Sequence, residues 1–174
     1  MSRTAEDHLR RRILLGRANV AVVGLGYVGL PLAVLSAKRG FPTVGLDHDL
    51  ERLREIRGGH PPTFDVSPGD LAACLDSGRL ALTASYGETS GCDIAVLCVP
   101  TPLAGGRPDH SQVTAAASSL SEWLQPGQLV IVESTVSPGT TERQVRPCLE
   151  AAGLRAGHDF HLALSPERLD PGNA

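Results

Sequence analysis

Residues 19–29 read NVAVVGLGYVG, a run of β-branched residues that stops at a glycine, with two more glycines following at the spacing G-x-G-x-x-G. Branched residues favour a strand. A glycine pattern of this kind directly between a strand and a helix is the turn of a βαβ unit that holds a dinucleotide. Gly24 permits the tight turn, Gly26 lets the backbone approach a pyrophosphate, and Gly29 lets the helix pack closely on the strand. The helix expected over 28–39 offers free N–H groups and a positive dipole end to phosphate, and Pro31 is tolerable in its first turn. A second strand over 43–47 ends at Asp47, at about the 20-residue separation where a carboxylate accepts hydrogen bonds from an adenosine ribose. Its charge, with Asp49 close by, repels a 2′-phosphate, so NAD is expected over NADP, although Arg52 leaves room for the opposite choice. The bland alternative is that Asp47 merely caps the helix beginning near Leu50.

The remaining sequence continues the same alternation. Helices are expected over 50–57, from Ser67 as its cap across Leu71 and Leu75, over 109–124 and over 140–152. Strands are expected over 79–83, 93–99, 129–133 and 161–164. Strands alternating with helices give an α/β fold, here a Rossmann-type doubly wound parallel sheet of about six strands in the order 3-2-1-4-5-6. At 174 residues and 41% hydrophobic, one such domain with a substantial core is expected. It would occupy residues 19–174, after a short helical extension over 1–18. Arg10, Arg11 and Arg12 in that extension read as a solvated helix face.

Composition narrows the function. A net charge of -3 and 3% aromatic residues argue against a nucleic-acid partner. No stretch before the first strand has the apolar length of a leader or a membrane span, which points to a cytoplasmic protein. Cys74, Cys92, Cys98 and Cys148 have neither C-x-x-C pairing nor zinc-ligand spacing, so buried thiols and no metal are expected. Polar residues gather where a Rossmann sheet places its ligand, at the ends of later strands: Thr101 between Pro100 and Pro102, Thr135 after Glu133 and Ser134, and Glu167 after the sixth strand. Each of these hydroxyls could instead cap the next helix, an even choice for Thr140 or Thr141. The irregular stretch 58–68 is long enough to suggest a functional loop.

Taken together, GLGYVGLPLA at 24–33, CVPTPL at 98–103, PDHS at 108–111, ESTVSPGTTE at 133–142 and SPERLDPGN at 165–173 resemble the UDP-glucose/GDP-mannose dehydrogenase family. SPER-x-DPGN, with FDVSPGDLAACLDSGRL, is closer in wording to the branch acting on UDP-N-acetylglucosamine or UDP-N-acetylmannosamine. The resemblance implies an NAD-dependent oxidation of a sugar C6 alcohol to the carboxylate in two stages, for polysaccharide precursors, by a homodimer in the intact family. It implies that Tyr27, Val28, Asp47, Arg52, Thr101, Thr135 and Thr141 contact NAD alongside the loop glycines Gly24, Gly26 and Gly29. Glu167 is implied as a catalytic carboxylate working through an ordered water, with Thr135 beside it, and Arg168 and Leu169 as the start of the UDP-sugar site.

The family's second oxidation uses a cysteine in a GGxCxPxD motif beyond the SPER segment. No such motif occurs in this sequence, and its one lysine, Lys38, precedes that segment. The chain stops inside the last motif, an ending expected of a fragment or a truncated gene product. The sequence therefore suggests the cofactor half of a dehydrogenase, without turnover by itself. A non-catalytic NAD-binding module, or one half of a split enzyme whose C-terminal half is encoded separately, is the competing expectation.

Overall fold

The central strand β1, Val20–Val23, is buried along its whole length. Its side chains alternate between two cores, as the two-residue period of a strand requires. Val20 and Val22 face one core and Ala21 and Val23 the other. The computed structural model describes residues 3–165. Within them β1 pairs in parallel with β2, Thr43–Leu46, on one side and with β4, Ile94–Leu97, on the other. β3, Leu80–Thr83, lies outside β2; β5, Leu129–Val132, and β6, His161–Leu164, lie beyond β4. The six-stranded parallel sheet therefore runs 3-2-1-4-5-6, the doubly wound order expected from the strand–helix alternation.

Helices cover both faces. On one lie α2, Gly29–Lys38, α3, Leu50–Arg57, and α4, Pro68–Asp76, which bury Leu30, Leu53, Ile56 and Leu71 against the sheet. On the other, α5, Ser111–Ser121, and α6, Arg146–Glu150, bury Val113, Ala117, Leu120 and Leu149, with Phe160 beside them. Burial of each such aliphatic side chain contributes about 1.5–3 kcal/mol before conformational entropy is counted. The caps explain the helix starts. Asp49 Oδ1 accepts from the N–H of Glu51 and Arg52, and Ser67 Oγ from Asp70 N–H, ahead of Pro68. Helix capping at the end of β2 thus belongs to Asp49, not to Asp47.

Three local features depart from the sequence reading. Residues 103–108 form a small antiparallel hairpin, Leu103–Ala104 with Arg107–Pro108. Its turn residues, Gly105 and Gly106, both have positive φ, at 58° and 76°, as a two-residue hairpin loop demands. A 3₁₀ turn spans Tyr86–Thr89. The helix expected over 140–152 opens with a π-helical turn, Thr141–Val145, before α6. Pro147 accounts for it: proline has no N–H and its ring crowds the carbonyl four residues back, and the turn before it widens so that Arg146 N–H bonds to Thr141 O.

The N-terminal extension is helical as expected, α1 spanning Arg3–Leu14. Its arginines are not all solvated, however. Arg12 pairs with Asp93 at 3.0 Å and donates to the Arg17 carbonyl at 2.9 Å. Asp93 also accepts from Asn19 N–H at 2.7 Å, and Leu9 is buried. The buried Leu9 and the shared Asp93 carboxylate hold α1 beside the residues that lead into β1 and β4. Cys74, Cys92 and Cys98 are buried and Cys148 half-buried, none in a disulfide. Burial, and then the charge of Asp93, push the Cys92 thiol up to about 11. No helix among the described residues is long and apolar enough to cross a membrane.

Candidate cofactor-binding cleft

Where β1 and β4 diverge, their connections leave towards opposite faces of the sheet, which opens a crevice at the carboxyl ends of the strands. A cleft of about 630 Å³ occupies this place, a size suited to a small-molecule or cofactor site. Its floor is the 24–29 loop. Gly24 has φ 93°, and a Cβ there would meet Cys98 O at 2.8 Å. At Gly29 a Cβ would lie 1.8 Å from Gly24 O, so the loop closes on itself only with glycine at this position. Gly26 is different: it lines the cleft, and a Cβ on it would meet nothing within 4 Å. The space beside its backbone is open and would be narrowed by any side chain. No side chain caps the N-terminus of α2; Leu30 N–H donates to Gly26 O and Pro31 has no N–H, so it is the loop amides ahead of Leu30 that could meet an anion.

Asp47 closes one end of the cleft. Its side chain is 1% exposed. Oδ2 accepts from Leu25 N–H at 2.8 Å and Arg52 Nη1 at 2.9 Å, and Oδ1 from Asp49 N–H at 2.9 Å. Burial pushes this carboxyl upwards, and the backbone N–H groups of Asp49 and Leu25, with the Arg52 guanidinium, outweigh it and hold it below the usual carboxylate range. Oδ2 thus accepts two hydrogen bonds and Oδ1 one, with His48 Nδ1 3.6 Å from Oδ1, so that by its lone-pair count Oδ1 can take a further donor. Arg52 is drawn onto Asp47 and, at 3.7 Å, Asp49. In this arrangement the two carboxylates occupy Arg52, a cation that could otherwise meet a 2′-phosphate.

The opposite wall is built by the ends of β4 and β5. Thr101 Oγ1 donates to Thr135 O at 2.7 Å, and Ser134 Oγ to Val99 O at 2.8 Å and Leu97 O at 3.2 Å. These bonds tie the two strand ends together and fix the wall. Tyr27, Val28, Thr101 and Thr135, all expected to meet the cofactor, lie on this cleft with Gly24, Gly26, Asp47 and Arg52. Gly29 lies behind the loop, where it serves packing.

Thr141 is not brought to the cleft wall. It begins the π-helical turn, and its Oγ1 is buried without a hydrogen-bond partner among the described residues, because the chain beyond Thr135 turns back through the Thr140 N–H to Ser137 O bond into the helix. Glu167, Arg168 and Leu169 lie outside the described residues. The structure adds His48, Gln112, Pro62 and Thr63 to the cleft. For the last two the length of the 58–68 stretch was a signal, though it singled out no residue; for Gln112, in the first turn of α5, the sequence carried none.

Comparison with known proteins agrees with this geometry. Residues 18–174 match the profile described as "UDP-glucose/GDP-mannose dehydrogenase family, NAD binding domain". The chain is 39% identical over 154 residues to the UDP-N-acetyl-D-mannosamine dehydrogenase of Pyrococcus horikoshii, covering 88% of this chain and 37% of that protein. It is 41% identical over 156 residues to the UDP-N-acetyl-D-glucosamine 6-dehydrogenase of Pseudomonas aeruginosa, covering 88% and 36%. Among solved structures, NDP-N-acetyl-D-galactosaminuronic acid dehydrogenase from Methanosarcina mazei superposes with a TM-score of 0.86 at 31% identity, over 99% of this chain and 38% of the other. The chain therefore spans little more than a third of these relatives' length. On the profile match and the doubly wound sheet together, the chain belongs to the UDP-glucose/GDP-mannose dehydrogenase family, and residues 18–174 correspond to that family's NAD-binding domain.

Proposed function

We propose that this chain binds NAD across the carboxyl ends of β1, β2, β4 and β5 and forms the cofactor half of a cytoplasmic dehydrogenase that oxidises the C6 alcohol of a UDP-N-acetylhexosamine to the carboxylate. The observation that carries the cofactor is the open backbone at Gly26 beside an uncapped helix N-terminus, in one cleft with Asp47. The sugar class is supported by the SPER-x-DPGN wording and by the similarity to the UDP-N-acetyl-D-mannosamine and UDP-N-acetyl-D-glucosamine dehydrogenases above.

When bound, NAD supplies the hydride acceptor. The chain's own residues bind and orient it. The backbone at Gly26 and the loop amides ahead of Leu30 receive the pyrophosphate, and the free lone pair of Asp47 Oδ1 receives one ribose hydroxyl. Thr101 and Thr135 hold the far wall in register. Glu167 moves the proton, directly or through a water, as a carboxylate within hydrogen-bond reach of the reacting oxygen can. Arg168 and Leu169 begin the sugar-nucleotide site. Without the GGxCxPxD segment, these 174 residues bind cofactor but do not turn substrate over.

Calorimetric titration of the chain with NAD and NADP tests the reading. NAD binds, and NADP binds at least about tenfold more weakly, since an unpaired buried charge costs at least 1.4 kcal/mol. Binding of neither, or a preference for NADP, overturns it. Production of NADH from UDP-N-acetylglucosamine by the chain alone at the rate of intact relatives overturns the assignment of turnover to residues beyond it.

A further inference from the structure

The connection between α3 and α4 brings only Pro62 and Thr63 to the cleft. Thr63 is 5% exposed, and its Oγ1 is covered and has no hydrogen-bond partner among the described residues. A buried hydroxyl without a partner destabilises the fold, and valine would fill the same volume without that penalty. The fold by itself therefore gives no reason for the oxygen. Its surroundings do. Thr63 lines the same cleft as Asp47, Asp49 and Arg52, and Val66, three residues on, is buried in the core that also holds Leu25, Leu53 and Ile56. Thr63 belongs to the crossover from β2 to β3, strands that lie on the other side of β1 from β4 and β5, which lead to Thr101 and Thr135. One rotamer step about χ1 moves Oγ1 to another branch of the same Cβ; threonine is restricted at χ1 but is known in more than one staggered well.

Building on the cofactor reading above, we infer that Thr63 is a further adenosine-binding residue: its hydroxyl, unpaired in the free protein, turns into the cleft and hydrogen-bonds the adenosine of the bound dinucleotide. The hydroxyl can both donate and accept, as adenine nitrogens and ribose oxygens require. It would complement Asp47, whose carboxylate has only one oxygen open. No covalent step is involved.

The test compares Thr63→Val and Thr63→Ser in the 174-residue chain, with NAD, ADP-ribose and nicotinamide mononucleotide titrated by calorimetry and the melting midpoint of each free protein recorded. Thr63→Val weakens NAD and ADP-ribose alike by about five- to tenfold, the value of one net hydrogen bond. Thr63→Ser stays within about twofold of the parent, nicotinamide mononucleotide is unaffected, and the midpoint of free Thr63→Val is equal to or above the parent's. Unchanged NAD affinity in Thr63→Val overturns the inference. So does a lowered midpoint with both variants losing affinity, which is the signature of a structural role. Failure of the parent itself to bind NAD overturns the cofactor reading, and is a different result from an ineffective Thr63→Val.

Discussion

Gly26 and Gly29 stand three residues apart in one loop, and each excludes a side chain for a different reason. At Gly29 an added Cβ would fall 1.8 Å from Gly24 O, a backbone atom that cannot yield without moving β1. Gly29→Ala is expected to destabilise the fold by about 3 kcal/mol, the upper range for overpacking, measured as a lower denaturant midpoint. Gly26→Ala meets nothing within 4 Å. It should leave that midpoint unchanged while weakening NAD by about tenfold or more, as expected for a lost close approach to phosphate. Asp47 yields a pH prediction. Its folded carboxyl titrates below the ordinary range, so the stabilisation is complete above the unfolded value of about 3.9 and is lost as the pH falls through the lower folded value. Asp47→Asn should therefore lower the urea midpoint at about pH 7, and the difference from the parent should shrink towards zero as the pH falls below about 4. The place of Asp47 on the cleft was legible in the sequence because its position relative to the loop implies it. Its hydrogen bonds from Leu25, Asp49 and Arg52 were not, since they depend on how one guanidinium and two backbone N–H groups converge in three dimensions.

Among the elements, those whose signals are local were legible. β1 to β6 are runs of apolar residues bounded by polar or glycine positions, and Ser67 announces α4. The hairpin had a local signal in Gly105-Gly106, obscured by the prolines at 100, 102 and 108. The π-helical turn before α6 was hidden because the same residues pattern as an ordinary helix, and only Pro147 marks the point at which one turn must widen. Pro147→Ala restores an N–H to that turn. It is expected to raise the unfolding free energy by about 1–2 kcal/mol, a fraction of the usual proline cost in a helix, with denaturant unfolding as the measurement. A decrease would show that the widened turn is required by its packing and not by the proline. The pairing of Arg12 with Asp93 was illegible for another reason: the partners are far apart in sequence, and nothing near Arg12 distinguishes it from Arg10 and Arg11.

Across the whole molecule the sheet separates two cores that share little besides the strands themselves. One lies under α2, α3 and α4, the other under α5 and α6. The cleft is the place where both layers reach one surface. Its floor leads into α2, while Gln112 belongs to the first turn of α5 and Thr135 follows β5. A dinucleotide lying there works as a rivet through both layers. Local openings that lift either layer away from the other must then also break cofactor contacts, and they become rarer in proportion to ligand saturation. Native-state hydrogen exchange makes this visible at residues that never touch the ligand. With NAD at about a hundred times its Kd, amides exchanging by these openings should slow by about a hundredfold, at Val130 and Val132 in β5 as much as at Val44 in β2. Slowing confined to β2 would mean that the two layers open independently even when the cofactor spans them.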